Sequence, residues 1–371
     1  MGNKFMAKII HTADLHIKDG EEKPYCYGVL DEIIALARAE KAVFLVLAGD
    51  LFDSYSDFEA LRREVQAKLF PLHEAGCRVI YIPGNHEARG AAADLSAFSL
   101  DPIQFYARPP FVFFEAEGVE FVCVPHAADY DGYRGWKVPP KKPGAVRVAV
   151  LHALNSTIYT GPDEEADARA GVIEDDFFSR FSIDYGALGH VHSGRRQELG
   201  GALACYPGSP RVWRAHAREA GPRSVLVVTT GGPALEVRQA ELKSAGQYKE
   251  YTLPVEMDGS IPLPAVQKLE AGLSPNDLVS VRLTGVVEDE NAARTAAENL
   301  RIRLRKKARQ AGVELETTVA SQICSNSLAR AFLAEMDAVK PETADGPEYR
   351  RWLLARQYGL EEIAGRAAEA Q

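Results

Sequence analysis

The sequence predicts an α/β fold in which two sheets form a sandwich, followed by a small α/β cap and a pair of C-terminal helices. Three observations carry this. Between residues 7 and 240, short β-branched runs alternate with helical or loop segments. Most of these runs are apolar on both faces, as strands covered from both sides are. Near residues 240–248 the alternation breaks, and a shorter pattern with one long charged helix begins.

In order, the runs are AKIIHTAD, VFLVLAGD, RVIYIPGN, FVFFEAEGVEFVCVPH, VRVAVLHA, YGALGH, ALACYPGS and SVLVVTT. Two segments of helical periodicity, YGVLDEIIALARAEK and FEALRREVQAKLFPLHEAG, separate the first three, so the chain opens βαβαβ. Glu117-Gly118 inside the fourth run predicts a hairpin turn. These elements define a first domain over 1–245. EYTLPVEM, DLVSVRLTGVV, a helix over 291–310 and VELETTVA predict a ββαβ cap over 246–322. Over 323–371 two helices are expected. One carries Leu328, Phe332, Met336 and Val339 on a stripe, the other Tyr349, Leu353, Leu360 and Ile363.

The composition, 46% hydrophobic and 26% charged over 371 residues, is that of a globular chain with room for a large domain and a smaller one. No apolar run reaches the roughly 18 residues of a membrane span. The start, MGNKFMAKII, is interrupted by polar and charged residues and predicts no secretion signal. Five scattered cysteines, Cys26, Cys77, Cys123, Cys205 and Cys324, contain no CxxC and read as reduced thiols of a cytoplasmic protein. A formal net charge of -9 excludes a generic polyanion binder, so any nucleic-acid contact must come from local basic groups.

The chemistry sits where the strands end. HTADLH ends the first with Asp14 and His16, LAGDLFD the second with Asp50, and IPGNHE the third with Asn85 and His86. VLHALN supplies His152, and LGHVH supplies His190 and His192. Taken singly these are weak signals: Asp-x-His arises by chance, Gly-Asp after a strand is an ordinary turn, and a lone strand-end histidine is usually a core residue. Loops at the carboxyl ends of strands in an open α/β sheet share one edge, however, and the joint occurrence points to one site. Carboxylate, amide oxygen and imidazole without thiolate suit manganese, zinc or iron. The donors exceed what one ion needs. Two metals sharing a carboxylate fit better, and such pairs clamp a phosphoryl group and activate water.

The order DLH, GDLFD, GNHE, LHA, GHVH resembles the calcineurin-like metallophosphoesterases, and within them the SbcD-type DNA repair nuclease subunits and their archaeal and eukaryotic counterparts. The resemblance covers about 7–240 and includes YPGSPR, Tyr206 to Arg211, which SbcD-like proteins carry at this point. It implies that Asp14, His16 and His192 hold one metal, that Asn85, His152 and His190 hold a second, and that Asp50 bridges them. His86 would stand beside the scissile phosphate and protonate the leaving oxygen, with Glu87 orienting it. Asp53 departs from archaeal relatives, which place a histidine there. His11, His73, His126 and His216 match no metal motif and read as structural or exposed.

The same resemblance implies two divalent ions, in the first place manganese, a DNA exo- or endonuclease activity in double-strand-break repair, and an SbcC-like ABC ATPase whose coiled coil is bound by the C-terminal helices. Phe332, Leu333, Trp352 and Leu353 would be the anchors of that contact, and Leu95 and Phe98 would serve a homodimer. For DNA, one basic group is Arg301, Arg303, Arg305, Lys306, Lys307 and Arg309 on the outer side of the cap helix, with Ala293, Ala297, Leu300, Leu304 and Ala308 turned inward. It reads equally well as a solvated face. The second group, Arg195, Arg196, Arg211 and Arg214, flanks the metal motifs. The competing function is a phosphodiesterase or phosphatase acting on a small molecule or a phosphoprotein, which the same metal motifs would serve. A decayed, non-catalytic scaffold is disfavoured because all seven ligand positions are intact.

Overall fold

The computed structural model describes residues 6–89, 94–127, 130–159, 171–214, 220–232, 234–320, 327–341 and 346–369. The chain lays down β1 (Lys8–Thr12), α1 (Lys23–Ala39), β2 (Phe44–Ala48), α2 (Tyr55–Glu74), β3 (Arg78–Ile82), the single turn α3 (Asn85–Ala88) and β4 (Gln104–Phe105). It then builds β5 (Val112–Ala116), β6 (Val119–Val124), β7 (Val146–His152), α4 (Asp176–Arg180), β8 (Tyr185–Gly189), β9 (Arg195–Leu199) and β10 (Ala202–Tyr206), and returns through β11 (Ser224–Thr229) and β12 (Glu236–Glu241). One sheet runs β12-β11-β1-β2-β3-β4 and the other β5-β6-β7-β8-β10-β9. The sandwich expected from the sequence is present.

Successive residues of a strand point to opposite faces, and the core divides accordingly. Ile10, Leu45, Leu47, Val79 and Tyr81 pack under α1 and α2. Their neighbours Ile9, Phe44, Val46, Ile80 and Ile82 meet Phe121, Val148, Val150 and Tyr185 between the sheets. Both faces are buried, which is why these runs read as continuously apolar. β1, β2 and β3 pair in parallel, as do β6, β7 and β8. The hairpin falls where expected: Ala116 faces Val119, and Glu117 and Gly118 take φ of 48° and 72°. The sequence gives no sign of β9. Its residues Arg195 to Glu198 are all exposed, so the strand rests on backbone pairing to β10 and carries no apolar alternation.

The chain folds into two compact units, Met1–Trp213 with Gly221–Gln247, and Arg214–Ala220 with Tyr248–Gln371. The second is built from β13 (Tyr248–Pro254), α5 (Leu263–Ala271), β14 (Leu278–Val287), α6 (Glu290–Leu304), β15 (Gln310–Val319), α7 (Ser327–Ala338) and α8 (Pro347–Glu369). Its three strands are all parallel, in the order β13-β14-β15. The expected ββαβ cap is therefore βαβαβ. A parallel pair needs a crossover, and the short LPAVQKLEA helix supplies it. The basic helix also ends earlier than expected, at Leu304. The backbone N–H groups of Arg309 and Gln310 donate to the Asp277 carbonyl at 3.0 and 3.4 Å and turn the chain into β15.

The C-terminal helices pack on their own unit. Ala329, Leu360 and Ile363 share a core with Met257, Val286 and Ala320, and Phe332 and Leu333 lie against it. A Cβ on Gly359 would stand 2.0 Å from the Phe332 ring, so the two helices touch there. Trp352 is buried and its Nε1 donates to the Met336 carbonyl at 2.6 Å. Trp352 is thus a core residue of this chain, while Phe332, Leu333 and Leu353 are half-buried. Among the described residues of these helices, the large apolar side chains that remain exposed are Leu328, Val339, Leu354 and Tyr358. Leu95 is corrected likewise, while Phe98 is half-buried. Leu95 is buried in the helix-side core, and Phe98 sits edge-on to Phe58 beneath Arg62.

Among the described residues no helix is long and apolar enough to cross a membrane. Cys26, Cys77, Cys123 and Cys205 are free and buried. Cys324 and His216 lie outside the described residues.

The packing of α8 sets a stability test. Leu360 is fully buried while Leu328 is 59% exposed. Leu360→Ala is expected to cost about 2–5 kcal/mol in urea unfolding, and Leu328→Ala no more than about 0.5 kcal/mol. Equal effects would contradict the packing of α8 on the cap sheet.

Candidate metal centre

The carboxyl ends of β1, β2, β3, β7 and β8 meet at one edge of the sandwich. Asp14, His16, Asp50, Asn85, His152, His190 and His192 are all buried there. Their loops are zipped together by main chain: Asp14 N–H donates to Gly49 O (3.1 Å), His16 N–H to Asp50 O (3.0 Å), and Ile17 N–H to Leu51 O (2.8 Å). Asp14, His16, Asp50 and His190 adopt φ of 56°, 47°, 47° and 99°. Left-handed backbone is uncommon outside glycine and clusters at functional sites.

Three glycines make the room. A Cβ on Gly49 would lie 2.1 Å from His152 Nδ1, one on Gly84 2.1 Å from Asp50 Oδ1, and one on Gly189 2.0 Å from the Ala48 carbonyl oxygen. The motifs Gly-Asp, Gly-Asn and Gly-His therefore pair each ligand with the vacancy its neighbour needs.

Ligand atoms of Asp14, His16 and His192 lie within 4.8 Å of one another, and so do those of Asp50, His152 and His190. These match the two expected ligand sets, apart from Asn85, whose Oδ1 lies 2.8 Å from His152 Nε2 and 3.1 Å from His190 Nδ1. Asp50 Oδ2 stands 3.1 Å from His152 Nε2. The Nε2 atoms of His16 and His192 face each other at 3.1 Å. His152 Nδ1–H donates to Ala48 O at 2.9 Å, which turns Nε2 towards the carboxylate and the amide oxygen. Lone pairs converging from carboxylates, an amide oxygen and imidazoles fit divalent cations.

Electrostatics agrees. Burial opposes charge on Asp50, yet the His152 imidazolium beside it holds the carboxyl well below its usual range. Burial also opposes charge on His152, but Asp50 outweighs it and raises His152 to about 9. His16 is driven well below its usual value by burial and by His192.

His86 stands apart from both sets. It is half-buried, its ring meets His16 edge-on at 4.5 Å, and its Nδ1–H donates to the Asp53 carbonyl at 2.6 Å. A third cluster of ligand atoms joins it with His16 and Asp50. Glu87 does not orient it. The Glu87 carboxylate points away and accepts from Phe52 N–H, Tyr81 OH and Gly84 N–H, each at 2.8 Å, tying down the loop. Burial and then Asp50 raise its carboxyl to about 7.

Arg211 is also corrected. It is fully buried and donates to Leu15 O (2.5 Å) and His16 O (2.7 Å), with Glu22 at 3.2 Å, so it braces the first metal loop and is withdrawn from any DNA surface. The rest of YPGSPR braces too: Tyr206 OH donates to Ala153 O and Ser209 Oγ to Asp14 O, each at 2.8 Å. Arg195, Arg196 and Arg214 are exposed. His11 is buried, with Nδ1 2.8 Å from Tyr185 OH, as a structural histidine would be. Sequence reasoning missed Trp213, whose indole stacks on His16 at 4.2 Å and 8° and meets His192 edge-on at 4.8 Å. Its place directly after the YPGSPR brace is the one signal that could have found it.

A sandwich with this donor set at one strand-end edge defines a metal-dependent phosphoesterase. The model of the calcineurin-like phosphoesterases matches residues 7–194, and the chain belongs to that family, whose chemistry uses two divalent metal ions. Among curated relatives, the DNA double-strand break repair protein Mre11 of Methanopyrus kandleri is 27% identical over 229 residues, 55% of this chain and 48% of that protein. The protein of the same name from Methanosarcina mazei is 26% identical over 239 residues, 62% of this chain and 37% of that one. The chain thus spans about half or less of the length of these relatives. A solved dimetal phosphatase from Danio rerio is similar at 11% identity and a TM-score of 0.40, covering 66% of this chain and 99% of its own.

Two outcomes follow. In Gly84→Ala the new methyl displaces the Asp50 carboxylate, so metal content measured by elemental analysis is expected to fall below two ions per chain while far-UV circular dichroism stays unchanged. Retention of two ions would show that the glycine is not needed for space. The second outcome concerns pH. A histidine raised from 6.5 to about 9 contributes stability to the metal-free protein that is fully present below 6.5 and lost as pH rises through about 9. Metal loading must remove that proton. Calorimetry at pH 7.5 in buffers of different ionisation enthalpy is expected to register roughly one proton released on loading, and affinity should rise with pH up to about 9. Proton-neutral binding would contradict this.

Proposed function

We propose that the chain is a manganese-dependent DNA nuclease of double-strand-break repair that acts with an SbcC-like ABC ATPase. The observation that carries the nuclease reading is His86, a half-buried imidazole beside the ligand clusters whose Nδ1–H is already committed to the Asp53 carbonyl. Bound divalent ions would polarise the phosphodiester and lower the pKa of an attacking water. The chain's own part is to hold the ligands, exclude bulk water and place a proton donor. With Nδ1 fixed, the protonated His86 ring presents Nε2–H to the leaving oxygen. The two relatives' names support DNA as the substrate.

DNA contacts fall to exposed basic residues. Arg195 and Arg196 lie on β9, three and four residues beyond His192, and Arg214 follows the brace. In the cap, Arg301 and Arg303 are tied to Glu298 and Glu270, so the stronger candidates are Arg305, Lys306 and Lys307, which are exposed and form no ion pair among the described residues. Trp352 is buried and Phe332, Leu333 and Leu353 are half-buried, so an ATPase would engage chiefly the exposed apolar side chains of α7 and α8. For a homodimer, Phe98 is half-buried and within reach of a partner, whereas Leu95 is buried.

His86→Gln is expected to keep its manganese and lose at least about a hundredfold in turnover of linear DNA, as loss of a general acid does, whereas Asp50→Ala loses metal and activity together. Loss of metal from His86→Gln would overturn the assignment. A wild type that turns over a chromogenic phosphodiester or phosphomonoester and leaves DNA intact would favour the small-molecule or phosphoprotein reading.

A further inference from the structure

We infer that Asp53 is a positioning residue for both halves of the centre: its carboxylate orients the metal ligand His16, and its backbone carbonyl orients His86. The inference rests on the two-metal reading of the site. It starts from His16, whose Nε2 faces His192 Nε2 at 3.1 Å and so points to the shared ligand position. The other ring nitrogen, Nδ1, lies 3.6 Å from Asp53 Oδ1. An imidazole that binds metal through one nitrogen carries its proton on the other and gives it to a carboxylate or carbonyl, which fixes the tautomer and the ring plane. His152 already obeys this rule through Ala48 O at 2.9 Å. For His16 the acceptor in place is Asp53. The 3.6 Å separation is longer than a hydrogen bond and short enough to become one with a small side-chain rotation.

Three features hold Asp53 to this task. Its N–H donates to Ile17 O at 3.0 Å, joining the two metal loops beyond the point where Ile17 and Phe52 form a parallel bridge. Its Oδ2 is paired with Lys18 Nζ at 3.1 Å, which leaves Oδ1 turned towards His16. That Oδ1 is buried and takes no hydrogen bond. The side chain is only 13% exposed, so a carboxylate at this position has little water to satisfy it and a histidine N–H in front of it. Through its carbonyl, 2.6 Å from His86 Nδ1, the same residue sets the ring that the reaction uses. Side chain and main chain of one residue thereby couple the placement of a ligand to the placement of the proton donor.

The test separates the two metal positions. Manganese binding to the full chain is followed by calorimetry and by electron paramagnetic resonance, in which a lone ion gives a six-line signal that a coupled pair does not. Wild type should bind two ions; fewer would sink the two-metal reading itself and leave the role of Asp53 without a basis. With two ions in wild type, Asp53→Leu should weaken one site by about 10–100-fold, leave the other unchanged, and give the lone-ion signal at concentrations where wild type gives the coupled one. Asp53→Asn, of the same shape and without the charge, should fall between them. Lys18→Met keeps the carboxylate but loses the ion pair that holds it, and should weaken the same site less than Asp53→Leu does. The inference is overturned if Asp53→Leu and Asp53→Asn bind both ions like wild type. It is overturned equally if Asp53→Asn weakens both sites alike and melts at a lower temperature without metal, since that is a general collapse of the loop.

Discussion

The structure depends on how closely five strand ends can approach. Seven polar side chains from loops of two sheets have to meet in one dry volume, and ordinary backbone leaves no room. Gly49, Gly84 and Gly189 remove Cβ atoms that would stand about 2 Å from a ligand atom or from the carbonyl that holds one. Asp14, His16, Asp50 and His190 meet the remaining demand with left-handed backbone, at roughly 1–3 kcal/mol each. That strain persists only because the loops cannot relax separately. The main-chain bonds from residues 14, 16 and 17 to residues 49, 50 and 51, and from 53 back to 17, lock them as one piece.

The YPGSPR segment is the outer half of that lock. A Cβ on Gly208 would lie 2.7 Å from the His192 carbonyl oxygen, so the segment presses against the second histidine of the pair. Ser209 then reaches Asp14 O, and Arg211 reaches the carbonyls of Leu15 and His16. A guanidinium buried with several carbonyl acceptors and Glu22 is satisfied and rigid. It holds the first metal loop from behind while the ligands face forward. Arg211, which reads in sequence as part of a basic group beside the site, belongs structurally to the site's foundation.

That contrast explains what could be read from the sequence. The sandwich, the hairpin at Glu117-Gly118 and the convergence of the ligands were legible because each has a local cause: two-sided apolar strands, a turn dipeptide, and polar residues at parallel strand ends. The direction in which a charged or aromatic side chain points was not legible. Arg211 and Glu87 were assigned to the surface and the reaction, but both turn inward, because unpaired backbone donors and acceptors inside the loops need them. Trp352 and Phe332 were assigned to a partner by the family resemblance, but an amphipathic stripe states only that something covers it: here Phe332 lies against a core shared with the cap, and Trp352 is buried with its Nε1–H on the Met336 carbonyl. α5 was missed because nine residues make too few turns to stand out from a loop.

Charge completes the argument. Without metal, the buried Asp50 carboxylate stands against the His152 imidazolium, while burial and then His192 drive His16 well below its usual value. Asp14 adds a second carboxylate to this buried pocket in an acidic chain, and burial and then Asp50 push the neighbouring Glu87 carboxyl up to about 7. Such a pocket repels a phosphodiester and attracts divalent cations. Two divalent ions bound there would add positive charge among these carboxylates and would displace the His152 proton. An acidic protein can then hold a phosphodiester at this point without being a polyanion binder over the rest of its surface.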